Sequence, residues 1–454
     1  MMHRILVLLA ICASVSVHAQ DSHYWNIHYG TSGTLLGGAV IGSARDLSAI
    51  FYNPGALGGH VSPGLSLGTQ VFELSNLSVN NAGDGGSSID YLSIDPTSGL
   101  VAGQLRFDTT LVDRWTYGLL ARQVFSFRLN DRRQDVLDVD DQRYGLYRDI
   151  FVTQDMSEYW GGISWARPLN GNISVGVTMF GAFRSHNRRG ELRAILTQRE
   201  GKVSGLDDVG HLQYFAARLL WKAGVSIHYG RWSFGATFTT PGLHVLGSGD
   251  AYVSNHVIGF SVLDSTIKDV SMVTDQRDIA ARHNSPMSVG VGAAYLFGNR
   301  MRLHCSAEWF DGVRSYDVVD THPDTTLVSG TPVVPVVREQ LRSVLNAGIG
   351  LEYMPTDLRT YFFSIVSDMS AVDPGAEASL AISTWNIIHL TGGAVFAFGP
   401  FTVTAGLGYA FGSSSEFPRT VATTVLDDIL NGSDRPATVR WQRLRLLAGV
   451  GYTM

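Results

Sequence analysis

The chain has 454 residues, 50 of them glycine, with a formal net charge of −6 and only 16 % charged residues. Ordinary soluble domains carry roughly 25 % charged residues, and a nucleic-acid binder needs a basic face, so both classes fit poorly. An apolar content of 45 % excludes disorder, and two cysteines exclude a disulfide scaffold or a cysteine-rich metal module.

Met1–Arg4 reads as a positively charged n-region and Ile5–Val17 as an apolar h-region. Val17-His18-Ala19 supplies the small residues a signal peptidase reads, so residues 1–19 are expected to be an export signal cut at Ala19/Gln20. Lipidation at Cys12 would require a smaller residue than Ile11 before it. No later stretch reaches the roughly 18 consecutive apolar residues of a membrane helix. A secreted soluble β-protein and an outer-membrane barrel remain.

Residues 20–62 do not alternate. Thr34–Tyr52 reads as one or two short helical pieces, broken at Asn53-Pro54-Gly55 because proline cannot continue a helix. A segment this short cannot fold alone, so its economical place is inside a barrel, as a plug.

From residue 63 onward, segments alternate with period two. Met301, Leu303, Cys305, Ala307 and Trp309 share one face; Arg302, His304, Ser306 and Glu308 share the other. Strands are expected at 63–74, 99–108, 114–129, 156–167, 171–184, 211–229, 231–240, 285–297, 300–312, 338–354, 358–368, 384–398, 400–412 and 438–454. Their connections alternate short and long, as periplasmic turns and external loops do in outer-membrane barrels. The expected fold is all-β: a 14-stranded antiparallel transmembrane β-barrel over 63–454, with a small N-terminal helical plug in its lumen. Long segments such as 75–98, 130–155, 185–210 and 413–437 read as polar external loops.

Several cations fall on the face opposite the apolar one: Arg122 and Arg128, Arg218 and Lys222, Arg302, Arg342, Arg443 and Arg445. They are candidates for holding a carboxylate head group, or for pairing with Glu308 and Glu352 to fix plug to wall. Leu192, Ile195, Leu196, Val253, Val257, Ile258 and Phe260 could form a capture groove or merely pack loop against loop. Trp115, Trp160, Trp165, Trp221, Trp232 and Trp309 read as an interface girdle. Asp135, Asp138, Asp140 and Asp141 complete no calcium motif, and the histidines have no metal-ligand spacing, so no metal or cofactor is expected. No nucleophile–base pair is fixed, so no enzyme is expected either.

Gly37-Gly38-Ala39-Val40 and the run Ala44-Arg45-Asp46-Leu47-Ser48-Ala49-Ile50-Phe51-Tyr52-Asn53-Pro54-Gly55-Ala56-Leu57 resemble the hatch of the long-chain fatty acid transporter (FadL-type) outer-membrane family. Asn53, Pro54 and Leu57 match by position, while Gly55-Ala56 inverts the usual order. Pro63-Gly64-Leu65-Ser66-Leu67-Gly68 resembles the start of that family's first strand. The resemblance implies passive uptake of hydrophobic molecules such as long-chain fatty acids or hydrocarbons, without nucleic acid. It implies a Gram-negative outer membrane, both termini periplasmic, and sideways release into membrane lipid when the hatch shifts. The family's lateral gap lies in its third strand; 114–129 contains no proline and only Gly118, so Gly161-Gly162 is the alternative weak point. The rival function is a non-transporting barrel of this type, a surface scaffold or secretion-complex subunit with a protein partner.

Overall fold

The computed structural model describes residues 22–59, 64–80, 89–105, 113–139, 142–198, 201–262, 269–325, 332–333, 337–373, 383–417 and 437–453. The expected export signal lies outside them. The strands are β1 (Gly64–Asn80), β2 (Ile89–Leu105), β3 (Arg114–Val139), β4 (Gln142–Pro168), β5 (Ile173–Gln198), β6 (Val203–Tyr229), β7 (Trp232–Thr239), β8 (Leu243–Ile258), β9 (Val270–Ala280) and β10 (Ser288–Phe297). There follow β11 (Met301–Phe310), β12 (Val313–Asp317), β13 (Asp324–Thr325), β14 (Pro332–Val333), β15 (Arg338–Leu341), β16 (Val344–Thr356), β17 (Arg359–Asp368), β18 (Ile387–Phe398), β19 (Phe401–Phe417) and β20 (Ala437–Thr453).

Sixteen strands share one sheet. β8 and β9 branch from the far end of β6. The other fourteen close into an antiparallel barrel, sealed where β1 pairs with β20 from Gly64↔Thr453 to Asn80↔Thr438. Along each wall strand, side chains alternate between an exposed apolar exterior and a buried interior. Leu119, Ile163, Phe234, Val291, Phe363 and Leu446 face outward, whereas Arg302, His304, Ser306 and Glu308 are buried inward. That is the pleat of a strand with hydrocarbon outside and a lumen inside.

Many segments that read as loops are strand. β3 to β6 run 26 or 27 residues each, although roughly 9–11 suffice to cross a bilayer. The β4–β5 ladder continues unbroken from Pro168↔Ser174 to Tyr144↔Gln198. Residues 130–139, 142–155, 185–198 and 203–210 are therefore ladder, and Ser413–Ser415 belong to β19. Both faces of these extensions carry polar groups, so the periodicity that marks the wall is absent there.

Residues 22–59 pack inside the barrel. They contain two short helices, α1 (Thr31–Leu35) and α2 (Ala49–Tyr52), and a 3-10 turn over Pro54–Gly58. Pro54 starts this turn rather than merely ending a helix: the Asn53 side chain accepts from the Gly55 amide at 3.0 Å and proline needs no N–H at the first position. Ile27, Leu35, Leu36, Val40, Leu47, Ile50 and Leu57 join wall residues Leu100, Leu120, Trp160, Phe180 and Leu447 in one core. Glycine lets the two backbones touch: a Cβ on Gly42 would lie 2.5 Å from the Gly292 carbonyl, and one on Gly55 2.7 Å from that of Gly224.

Candidate functional site: two lumen chambers and an open seam

The first residues of the inner segment, Ser22–Asn26, form a partition across the lumen. Its backbone is bound at almost every position. Arg122 donates to the Tyr24 carbonyl at 2.5 Å, and Arg445 to that of Asn26 at 2.5 Å. The Tyr24 and Trp25 amides donate to Asp368 at 3.2 and 3.0 Å. The Trp25 indole donates to Glu308 at 3.0 Å. A segment without regular structure thus satisfies its polar groups through the wall.

On one side of the partition lies a small charged chamber of about 60 Å³. Glu158 on β4 accepts from Arg184 at 2.7 Å, Arg218 at 2.6 Å and the Trp160 indole at 2.6 Å. Lys222 pairs with Glu308 at 3.5 Å, which also accepts from Ser288 at 2.8 Å. The Phe51 ring of the inner segment sits between Lys222, 5.0 Å from its centroid, and Arg122, at 5.5 Å. Cations over an aromatic face are attracted to its quadrupole. From the long-loop side, His283 and Leu341 close the chamber. Behind them Glu339 on β15 accepts from Tyr316 and lies 3.4 Å from His283. Burial pushes the Glu339 carboxyl up to about 7. Burial, with Arg184 and Arg218 nearby, holds His283 well below the usual imidazole range.

On the other side lies a larger cavity of about 240 Å³. Its walls are mostly apolar, with Leu77, Tyr91, Phe125, Phe127, Trp385 and Ile387, and its polar corner holds Glu73 and Arg443. Arg443 is 3.6 Å from Glu73 and 4.7 Å from the Trp441 ring centroid. An apolar cavity of about 150 Å³ accepts benzene, so this one has room for a substituted ring.

This cavity meets a fault in the wall. β2 and β3 pair only from Leu105↔Trp115 to Leu100↔Leu120. Beyond Leu120, β3 turns to β4 alone and β2 to β1 alone, among the described residues. A register shift between Ala121 and Gln123 marks the parting point. Tyr91 and Ser93 on one separated edge, and Val124 to Phe127 on the other, both line the cavity.

The β3 bulge also corrects the reading of two arginines. An extra residue reverses side-chain parity, so Arg122 is buried inward while Arg128 is exposed. Gly161 and Gly162, expected as a weak point, pair regularly with both neighbouring strands. Arg302 is bound to Glu352 at 2.7 Å near the short-turn end, beside His304, whose ring meets Ser43 of the inner segment at 2.7 Å. Arg445 is bound to Glu73 at 2.8 Å. Arg342 is exposed at the β15–β16 corner and donates to the Ser370 carbonyl at 3.1 Å, away from both chambers. Of the hatch residues, Asn53 donates to the Ile41 and Val225 carbonyls at 2.8 and 2.9 Å, and Pro54, Gly55 and Leu57 are buried against the wall. Trp160 is not a girdle residue; it is buried in the lumen, 6.0 Å from Phe51. Leu196, Val257 and Phe260 pack with Tyr144, Leu146 and Leu206 into a ladder core rather than a groove. The side chains of Asp135, Asp138, Asp140 and Asp141 lie outside the described residues. No cluster of metal-ligating side chains occurs among the described residues.

Sequence reasoning missed Glu158, Arg184 and Glu73. The signal was available for the first: Met156, Glu158 and Trp160 alternate on one face, and an acid sharing a face with tryptophan needs a buried cation.

The closed fourteen-stranded antiparallel barrel is the fold of solved FadL-type channels. Solved structures place the likeness. A Pseudomonas aeruginosa FadL homologue superposes with a TM-score of 0.57 at 13 % identity, covering 95 % of this chain and 99 % of that one. The Pseudomonas putida toluene transporter TodX gives 0.54 at 12 % identity, with 97 % and 100 % covered. The monoaromatic hydrocarbon channel CymD gives 0.51 at 12 %, with 94 % and 98 % covered. No family model matches the chain. No curated protein matches it either.

Proposed function

We propose that this chain is an outer-membrane channel for passive uptake of hydrophobic compounds, with lateral release through the β2–β3 seam. The observation that carries the reading is the apolar cavity bounded by two strand edges that do not pair with each other. A greasy solute leaving sideways passes from protein into hydrocarbon without returning to water. The apolar exterior of the wall suits a bilayer, and short turns at the end that holds Gly64 and Thr453 support a periplasmic position for both chain ends.

In this reading residues 22–59 are the hatch. Ser22–Asn26 divide the charged chamber from the seam cavity, so their displacement would join the two. A single substituted ring fits the seam cavity as it stands; a long-chain fatty acid would need that displacement. The structures this fold resembles include toluene and monoaromatic hydrocarbon channels, which supports the smaller solute. A surface-scaffold role has one observation in its favour, the ladder of β3–β6, β8 and β9 standing beyond the wall, but it leaves the seam cavity without a purpose. The test is uptake of radiolabelled 4-phenylbutanol by bacteria with and without the chain in their outer membrane. Faster uptake with the chain is expected; equal rates would contradict channel function.

A further inference from the structure

A pair of histidines joins the inner segment to the wall. His28 of that segment and His389 of β18 are both buried, their rings edge to face with centroids 5.6 Å apart. Nε2 of each ring lacks a hydrogen-bond partner. The gap beside them measures about 10 Å³, barely room for one water and none for a counter-ion. The surroundings are rich in charge. Asp368 of β17 lies 3.7 Å from His389. Arg443 and Arg445 of β20 line the same gap, and both are bound to Glu73 of β1, at 3.6 and 2.8 Å. Arg122 of β3 adds a further positive charge to the field at His28, and Tyr52 of the inner segment stands beyond Gly38.

Two other histidine contacts hold the inner segment, and acid leaves both intact. His23 Nε2 donates to the Trp385 carbonyl at 2.9 Å, an acceptor that suits a neutral or a charged ring. His304 of β11 meets Ser43 at 2.7 Å and has Glu352 at 3.1 Å to balance a charge. No carboxylate accepts from His28 among the described residues. A proton on His389 is balanced by Asp368. A second proton, on His28, adds a cation to a buried site whose two arginines already share one carboxylate. A buried charge without a partner is strongly destabilising, and moving His28 into water relieves it. Asn26, two residues earlier, ends the partition, so displacement of His28 pulls on it. We propose that His28 and His389 form an acid-sensitive latch: neutral, they seat Ser22–Asn26 across the lumen; protonated, they release this partition and join the two chambers. The inference rests on reading residues 22–59 as a hatch that moves.

The test takes two readings on the full chain. Hydrogen exchange of residues 22–30 in detergent, corrected for the intrinsic effect of pH, is expected to quicken at least about tenfold between about pH 7 and about pH 4.5, the range in which imidazoles gain a proton. Uptake of radiolabelled 4-phenylbutanol, uncharged throughout that range, should rise with it. His28→Phe keeps a ring that cannot be charged and should flatten both profiles. His389→Gln leaves Asp368 to balance a charge on His28 and should weaken the acid response; it decides the matter where His28→Phe fails to form a barrel. Exchange that is flat with pH, or an acid response of full size in both variants, would overturn the latch, and uptake at pH 7 would then leave the channel standing. Absence of uptake at every pH would count against the channel, while exchange would still decide the latch.

Discussion

Two seams of the same barrel behave in opposite ways. Between β4 and β5 the ladder runs from Pro168↔Ser174 to Tyr144↔Gln198 without a register shift. Between β2 and β3 it stops at Leu100↔Leu120. The first seam is backed by buried ion pairs, Glu158 with Arg184 and Arg218; the second is backed by an apolar cavity. Buried ion pairs back the closed seam, and where the wall opens the lumen is largely apolar.

The largest way to break this contrast is to weaken the closed side. Glu158→Gln leaves Arg184 and Arg218 buried without their anion and is expected to cost about 3–5 kcal/mol, read as a lower urea midpoint in detergent. Next comes the fit of inner segment to wall. Gly42→Ala would place a Cβ 2.5 Å from the Gly292 carbonyl, for a cost of about 1–3 kcal/mol. Its readout is faster trypsin cleavage after the exposed Arg45.

A smaller effect concerns the cap over the charged chamber. Glu339, ordinarily near 4.5, is raised to about 7 by burial. It stays protonated in the folded cap while an unfolded copy ionises, so its contribution is complete below about 4.5 and lost as pH rises through about 7. Hydrogen exchange of residues 313–341 should therefore quicken over that window in the native chain, and Glu339→Gln should flatten the dependence. The smallest effect is expected from Cys305→Ser. This free thiol is exposed on the outer face, and its replacement should shift stability by no more than about 0.5 kcal/mol.

The strand number and the short turns were legible because the wall obeys one rule, apolar outside and small or charged inside. The alternation of Met301 to Trp309 against Arg302 to Glu308 carries that rule in full. It fails wherever neither face meets hydrocarbon. Residues 185–198, with Arg188-Arg189-Gly190-Glu191, read as a polar loop yet form ladder. The site was less legible than the fold. Arg122 was found, but a bulge at a position without glycine reversed the parity of Arg128, and no local signal announces it. The seam was hidden for the same reason: β2 and β3 part through missing long-range pairing, not through a proline or a glycine. Trp160 looked like a girdle residue because tryptophans serve both places, and only its pairing level shows that it points inward.

The central claim is that the β2–β3 seam is the exit. In a Cys305→Ser background, Ser93→Cys and Ser126→Cys put one thiol on each separated edge, to be bridged by a bis-methanethiosulfonate that reductant removes. An equivalent bridge across β4 and β5 serves as the control. Bridging the open seam is predicted to slow 4-phenylbutanol uptake at least about tenfold, with recovery on reduction, a change of about 1.4 kcal/mol or more in the barrier. The control bridge should leave uptake unchanged. Unaltered uptake with the β2–β3 seam fully bridged would contradict lateral release.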